Sequence, residues 1–262
     1  DVLVAQAKKT PMDSGETSPN MITIFKMKDG VIESSETLLD GLNLPFGMAV
    51  WDKELFVAEP ERVLRYVFED GKIVSGPVVI AALPFPKPQR HWTRHLLMKP
   101  DGSKLYVSVG SASNVGEDGD PLDPQTAAIL EMNRDGSDLK VFAGGLRNAV
   151  TMAWEPTTGE LWATVNERDE LGDGLVPDYL AKVVPGGFYG WPYAYWGQHP
   201  DPRLQGQRPD LIAASIVPNF SVGAHTASTG IMFTQGSKIP AVFANGADRK
   251  STRLNSSHLV IS

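Results

Sequence analysis

The feature that most restricts what this chain can fold into is a recurring unit. It consists of an apolar strand, a polar turn, a second strand rich in Leu, aromatic residues and Val, a loop, and a third strand closing on Asp-Gly. Residues 46–50, 54–59 and 63–68, followed by Asp70-Gly71, make one copy. Residues 96–98, 104–109 and 128–132, followed by Asp135-Gly136, make a second, and residues 151–154, 160–164 and 179–183 a third. Partial copies lie at 2–5 with 22–25 and at 230–233. Short-strand units recurring at roughly 40 to 50 residues are the signature of propeller blades, which bury their faces only by stacking on one another. The chain is therefore expected to be an all-β, incomplete β-propeller of about three full and two partial blades.

Composition agrees. The 25 Gly and 20 Pro are spread along 262 residues, as many short elements separated by turns require, and 42% hydrophobic content supplies a core. The net charge of −7 lacks the basic face that binding to nucleic acid needs, so no nucleic-acid partner is expected. Without cysteine there are no disulfides, thiolate metal sites or cysteine nucleophiles. No apolar run reaches the roughly 18 residues of a membrane span. The start, Asp1-Val2-Leu3-Val4-Ala5, reads as mid-strand, so an N-terminal truncation that removed any signal peptide is expected.

The propeller domain is expected over residues 1–247 and a non-native tail over 248–262, because Asp248-Arg249-Lys250-Ser251-Thr252-Arg253-Leu254-Asn255-Ser256-Ser257-His258 carries no apolar periodicity. Back-translated, that run matches a common sequencing-library adaptor. Three long loops, 76–90, 111–125 and 191–218, interrupt the strand rhythm, and loops on a rigid scaffold are where sites are built.

Two motifs, Gly145-Leu146-Arg147-Asn148 and Gly186-Gly187-Phe188-Tyr189-Gly190-Trp191-Pro192, resemble those of the soluble sugar dehydrogenases that use pyrroloquinoline quinone. His91-Trp92-Thr93-Arg94, the strand ending Val109-Gly110-Ser111, and Val165-Asn166-Glu167-Arg168-Asp169 are similar to the sorbosone-dehydrogenase branch. The resemblance spans residues 44–240 and implies a six-bladed propeller, bound pyrroloquinoline quinone and calcium, and a histidine base that takes the proton of a sugar hydroxyl while hydride passes to the quinone. A signal peptide and a periplasmic or secreted location belong to the same expectation, as does an electron acceptor beyond the quinone.

Carried over residue by residue, the resemblance makes His91 the base and Arg147 a catalytic and cofactor-binding group, with Asn148, Arg94, His225 and Ser228 also on the cofactor. It puts calcium on the backbone carbonyls of Glu167 and Arg168. Histidine suits a base because its pKa lies near working pH, and a guanidinium suits a carboxylate because its fork is planar and always charged. The chain departs from the glucose-type pattern in three ways. Two residues rather than three separate His91 from Arg94, Glu167-Arg168 replaces Gly-Pro, and no glutamine stands near residues 44–47. The family's lysine and arginines from the last blades would fall after Ala247. His95 stands at an apolar strand position of the family and is expected to be structural.

Glu117, Asp118, Asp120 and Asp123 lack the twelve-residue pattern of an EF-hand and read as a solvated turn. Trp191, Tyr193, Tyr195 and Trp196 read as loop packing or as a stacking surface. Two other functions remain open on the same architecture. One is a calcium-dependent lactonase, for which Glu167, Asn148 and Asn166 are the available ligands. The other is a non-catalytic propeller that binds a partner or polysaccharide.

Overall fold

The computed structural model describes residues 1–7, 19–85, 91–117, 119–240, 244, 246–251 and 259–261. The chain divides into two compact units: Asp1–Phe85 with Trp92–Val107 and Met132–Leu139, and Pro86–His91 with Ser108–Glu131 and Lys140–Ser262. It is an all-β chain with the sheets of an incomplete β-propeller.

In the first unit β1 (Val2–Gln6), β2 (Met21–Lys28) and β3 (Val31–Leu39) form a three-stranded antiparallel sheet. Next come β4 (Met48–Trp51), β5 (Glu54–Glu59), β6 (Arg62–Glu69) and β7 (Lys72–Ala82), a complete four-stranded blade. Ile22, Leu42, Leu55, Val57, Leu64 and Tyr66 make a core between these sheets. In β5 the five residues from Leu55 on are all buried, because an inner strand of a stacked blade is covered on both faces and so shows no alternation. β8 (Leu96–Met98) pairs with β9 (Lys104–Val109) in this first unit, while Ala128–Glu131 of β10 (Ala128–Asn133) pair with β11 (Lys140–Gly144) in the second unit.

The second unit holds another four-stranded blade, in which β12 (Ala149–Trp154), β13 (Leu161–Val165) and β14 (Pro177–Lys182) are followed by a long insertion. That insertion contains the two-residue strands β15 (Ala194–Tyr195) and β16 (His199–Pro200), a 3-10 turn at Pro202–Leu204 and the short helix α1 (Pro209–Ala214). β17 (Phe220–Ala224) then closes the blade against β14. β18 (Ser228–Phe233), β19 (Ala247–Ser251) and β20 (Leu259–Ile261) form a three-stranded sheet. Among the described residues no helix is long and apolar enough to cross a membrane.

The structure corrects the strand count of the repeating unit. Each complete blade has a fourth, outer strand, and the expected loop at 76–90 is strand as far as Ala82, its residues 86–90 lying outside those described. β7 is largely exposed and carries Gly76-Pro77 in its middle, so although Ile73, Val74, Val78, Val79 and Ile80 are β-branched, the run does not read as one continuous strand. As an outer strand it tolerates both features. The expected tail starts within β19, with 252–258 and 262 outside the described residues.

Candidate active site

The two glycine-rich motifs meet in the second unit. Gly144 N donates to Gly187 O, Tyr189 N to Gly144 O and Trp191 N to Gly145 O, so residues 186–191 lie alongside the segment leading into β12. Gly145 has a φ of 72°, and a Cβ there would meet Gly190 N at 2.8 Å. Only glycine accepts both the left-handed backbone and the close approach. The pair of motifs thus fixes the direction in which Arg147 and Asn148 leave the sheet.

Arg147 is buried, and its donors are committed. Nε donates to Asn114 O at 3.2 Å, and Nη1 to Glu167 O at 2.7 Å and Asn166 O at 3.3 Å. Nη2 donates to Asn114 Oδ1 at 3.0 Å, with the Asp169 carboxylate 3.9 Å away. A guanidinium has five N–H groups, so one on Nη2 has no hydrogen-bond acceptor among the described residues. Burial lowers the Arg147 pKa, and the carboxylates of Glu167, Asp169 and Asp178 oppose that shift.

Asn148 and Asn166 sit at adjoining strand ends, where Asn166 N donates to Asn148 O at 3.0 Å. The Oδ1 atoms of both are buried with no donor among the described residues. The β12–β13 register shifts between Ala149 and Thr151, a bulge at the site end of the blade of the kind that re-aims neighbouring side chains.

His91 faces the same strands. Its Nδ1 lies 2.8 Å from Ser111 O, which a ring N–H must satisfy, so Nε2 is the basic nitrogen of the neutral ring. Ser111 N in turn donates to Arg147 O at 2.8 Å. Gly110 lies between His91 and Asn148, since a Cβ on it would meet His91 Cβ at 2.5 Å and Asn148 Oδ1 at 2.7 Å. The sequence-derived base and Asn148 are therefore neighbours, with Gly110 between them.

Beyond Arg147 lies a buried charged network. Glu167 is fully enclosed, and burial raises its carboxyl to about 7 against the pull of Arg147. Asp178 Oδ1 accepts from Glu167 N at 2.8 Å, while Oδ2 accepts from Ala227 N at 2.8 Å and Thr226 Oγ1 at 3.1 Å. Arg168 Nε and Asp201 Oδ2 form an ion pair at 3.2 Å, with side chains 1% and 2% exposed.

Four of the expected site residues already have protein partners. Arg94, expected on the cofactor, donates within the first unit to the carbonyls of Pro60, Thr93 and Pro84 and lies over the Phe85 ring, which makes it a clamp on chain turns. Glu167 O, expected to bind calcium, accepts from Arg147, and a guanidinium on the same oxygen repels a divalent cation. His225 uses both ring nitrogens, toward Asp169 Oδ1 and Gly172 O, each at 3.1 Å. Ser228 is buried, with its Oγ accepting from Arg249 Nη1. His95 is half-buried, and desolvation pushes its pKa down to about 4.

The acidic loop caps its own turns. Glu117 accepts from the amides of Asn114 and Val115, Asp120 from Ser113 Oγ and Leu122 N, and Asp123 from Gln125 N, while Asp118 lies outside the described residues. Among the described residues no three His, Cys, Asp or Glu side chains converge as a metal cluster. In the aromatic loop Trp191 is buried, Trp196 meets Tyr179 edge-on and Tyr195 stacks on His199. The sequence assigned no individual site role to Gly110, Ser111, Asn114 or Asp178, although Gly110-Ser111 stood in one motif and Ser111 and Asn114 lie in a loop singled out for site building. The available signal was the run of small and polar residues after β9, whose members 110–115 are all buried.

The model of the family described as Glucose / Sorbosone dehydrogenase matches residues 57–247. An uncharacterised protein of Borreliella burgdorferi is 26% identical over 222 residues, covering 80% of this chain and 57% of that protein. One from a Synechocystis strain is 29% identical over 157 residues, covering 52% and 36%. The chain thus spans between about a third and three fifths of these curated relatives.

Among solved structures, the calcium form of a Trichoderma reesei enzyme of carbohydrate-active family AA12 matches with TM-score 0.73, at 17% identity over 93% of this chain and 78% of that one. The holo PQQ domain of a Coprinopsis cinerea pyranose dehydrogenase gives 0.68 at 15%, over 92% and 73%. The apo soluble aldose sugar dehydrogenase of Escherichia coli gives 0.64 at 15%, over 93% and 80%. At these identities the likeness is one of fold. Because that family model matches residues 57–247, most of this chain, the chain belongs to the glucose/sorbosone dehydrogenase family.

Proposed function

We propose that the protein to which this chain belongs oxidises an aldose or a sugar aldehyde such as sorbosone, using pyrroloquinoline quinone. The observation that carries this reading is the triplet His91, Gly110 and Asn148, with Arg147 next in the chain. It sets a base with a defined tautomer beside the Asn148 amide, one residue along the chain from a guanidinium that keeps one N–H in reserve. When bound, the quinone supplies a two-electron acceptor for hydride.

His91 Nε2 takes the proton of the sugar hydroxyl, and the Ser111 carbonyl on Nδ1–H stabilises the imidazolium that results. Arg147 offers its remaining N–H to a carboxylate or carbonyl oxygen of the cofactor, and it arrives already oriented by four hydrogen bonds. The buried oxygens of Asn148 and Asn166 call for donors or a cation, which fits a polar cofactor. If calcium is used, these two amide oxygens and the Glu167 carboxylate are better donors than the engaged carbonyl of Glu167. The same three groups favour a calcium-dependent lactonase as the second reading. A periplasmic or secreted location and a separate electron acceptor complete the proposal.

The test is dye reduction by the purified protein given pyrroloquinoline quinone and calcium, with a panel of aldoses and sugar aldehydes. Reduction that drops at least a hundredfold in His91→Gln supports the reading, on the scale of a general base. Absence of reduction with every sugar, together with lactone hydrolysis that needs calcium alone, would replace it with the second reading.

A further inference from the structure

Asn114 lies in the loop after β9, is only 2% exposed, and uses every polar atom it has. Its backbone oxygen accepts from Arg147 Nε at 3.2 Å and from Trp191 Nε1 at 2.8 Å. Its side-chain oxygen accepts from Arg147 Nη2 at 3.0 Å and from Asp169 N at 2.9 Å. Its amide nitrogen donates to Asp169 O at 3.2 Å, and its backbone N–H to the Glu117 carboxylate at 2.8 Å.

The orientation of this amide is set by its partners. Arg147 Nη2 and Asp169 N can only donate, and Asp169 O can only accept, so reversing the amide would set donors against donors. No other uncharged side chain of this length offers an acceptor on one side and a donor on the other. Leucine matches the shape and makes none of these bonds, while aspartate keeps the acceptors and loses the donor.

Two of the four hydrogen bonds that hold the Arg147 guanidinium therefore come from one residue, on the edge opposite Nη1. We propose that Asn114 is a positioning residue: it fixes the plane of the Arg147 guanidinium so that its remaining Nη2 N–H is presented to an anionic or carbonyl oxygen of the cofactor. The role toward the quinone rests on the function proposed above, whereas the hold on Arg147 does not. Trp191 braces the arrangement from behind by sharing the Asn114 carbonyl, which connects the second glycine-rich motif to the guanidinium of the first.

The experiment uses the full chain with Asn114→Leu, Asn114→Ala, Asn114→Asp, Arg147→Ala and the Asn114→Leu/Arg147→Ala double variant, and far-UV circular dichroism to establish that each folds. Without any cofactor, phenylglyoxal modification of Arg147 is followed by peptide mass spectrometry. Arg147 should react at least tenfold faster in Asn114→Leu than in the parent, and should stay protected in Asn114→Asp, which retains the acceptor.

Equilibrium dialysis with pyrroloquinoline quinone is the second measurement. Asn114→Leu should weaken binding at least tenfold, and combining it with Arg147→Ala should weaken it no further than Arg147→Ala alone, because one residue acts through the other. Should Asn114→Leu fail to fold, Asn114→Ala takes its place: faster modification of Arg147 than in the parent supports the proposal, and parent-like protection overturns it. An Arg147 equally unreactive in folded Asn114→Leu, or additive losses in the double variant, also overturns it. If the parent takes up no quinone, the proposed function fails while the modification rates still decide the role of Asn114.

Discussion

Replacing Glu167 by Gln should change how the stability of this protein depends on pH. The carboxyl is buried, and burial lifts its pKa from 4.5 to about 7 even though Arg147 is nearby. The folded state therefore holds this proton more tightly than the unfolded chain does. Its contribution is fully present below about pH 4.5 and is lost as pH rises through about 7. A difference of about 2.5 units at 1.36 kcal/mol each gives roughly 3 kcal/mol, developed almost entirely between pH 4.5 and 7.5. Glutamine has the same shape and no charge to bury, so Glu167→Gln should not show this loss. The assay is urea unfolding of both proteins at half-unit steps from pH 4.5 to 8.5, without added calcium. Every other group titrates alike in the two proteins, so the difference between the curves isolates Glu167. The parent should lose about 3 kcal/mol more than the variant across that range, and parallel curves would refute the reasoning.

Gly110→Ala would put a methyl group 2.5 Å from His91 Cβ and 2.7 Å from Asn148 Oδ1. It should cost about 1 to 3 kcal/mol of stability, read by thermal melting, and should lower sugar-dependent dye reduction. Asp201→Asn would leave the buried Arg168 without its ion-pair carboxylate and should destabilise the chain by about 3 to 5 kcal/mol in urea unfolding. His95, desolvated so that its pKa is pushed down to about 4, has its full stabilising effect above about pH 6.5 and loses it as pH falls through about 4. His95→Gln should accordingly remove about 3 kcal/mol of acid sensitivity between those limits, measured as the difference in unfolding free energy.

The inner strands were legible in sequence because burial writes itself into composition. Residues 54–59, 104–109 and 160–164 read as strands and correspond to β5, β9 and β13 with shifts of at most a residue. The outer strands β3, β7, β11 and β17 were not legible. Their residues are largely exposed, so no apolar period marks them, and β17 follows a long insertion after the strand it pairs with. At the site, His91, Arg147 and Asn148 stood out through their motifs. Arg94 stood out for the same reason, yet its donors go to backbone carbonyls, a commitment that depends on where Pro60 and Pro84 come to lie.

By itself, the sequence determined the architecture and the family, since a repeating strand pattern needs stacked blades to bury it and the two glycine-rich motifs are local in the chain. Only the tertiary structure decided which polar groups act together. Asn114 reaches Arg147 across 33 positions and Asp169 across 55, and Gly110 matters because His91 and Asn148 close on it from different segments. Hydrogen bonds and close approach depend on distance in space, and for contacts this far apart along the chain that distance is set only when the sheets assemble.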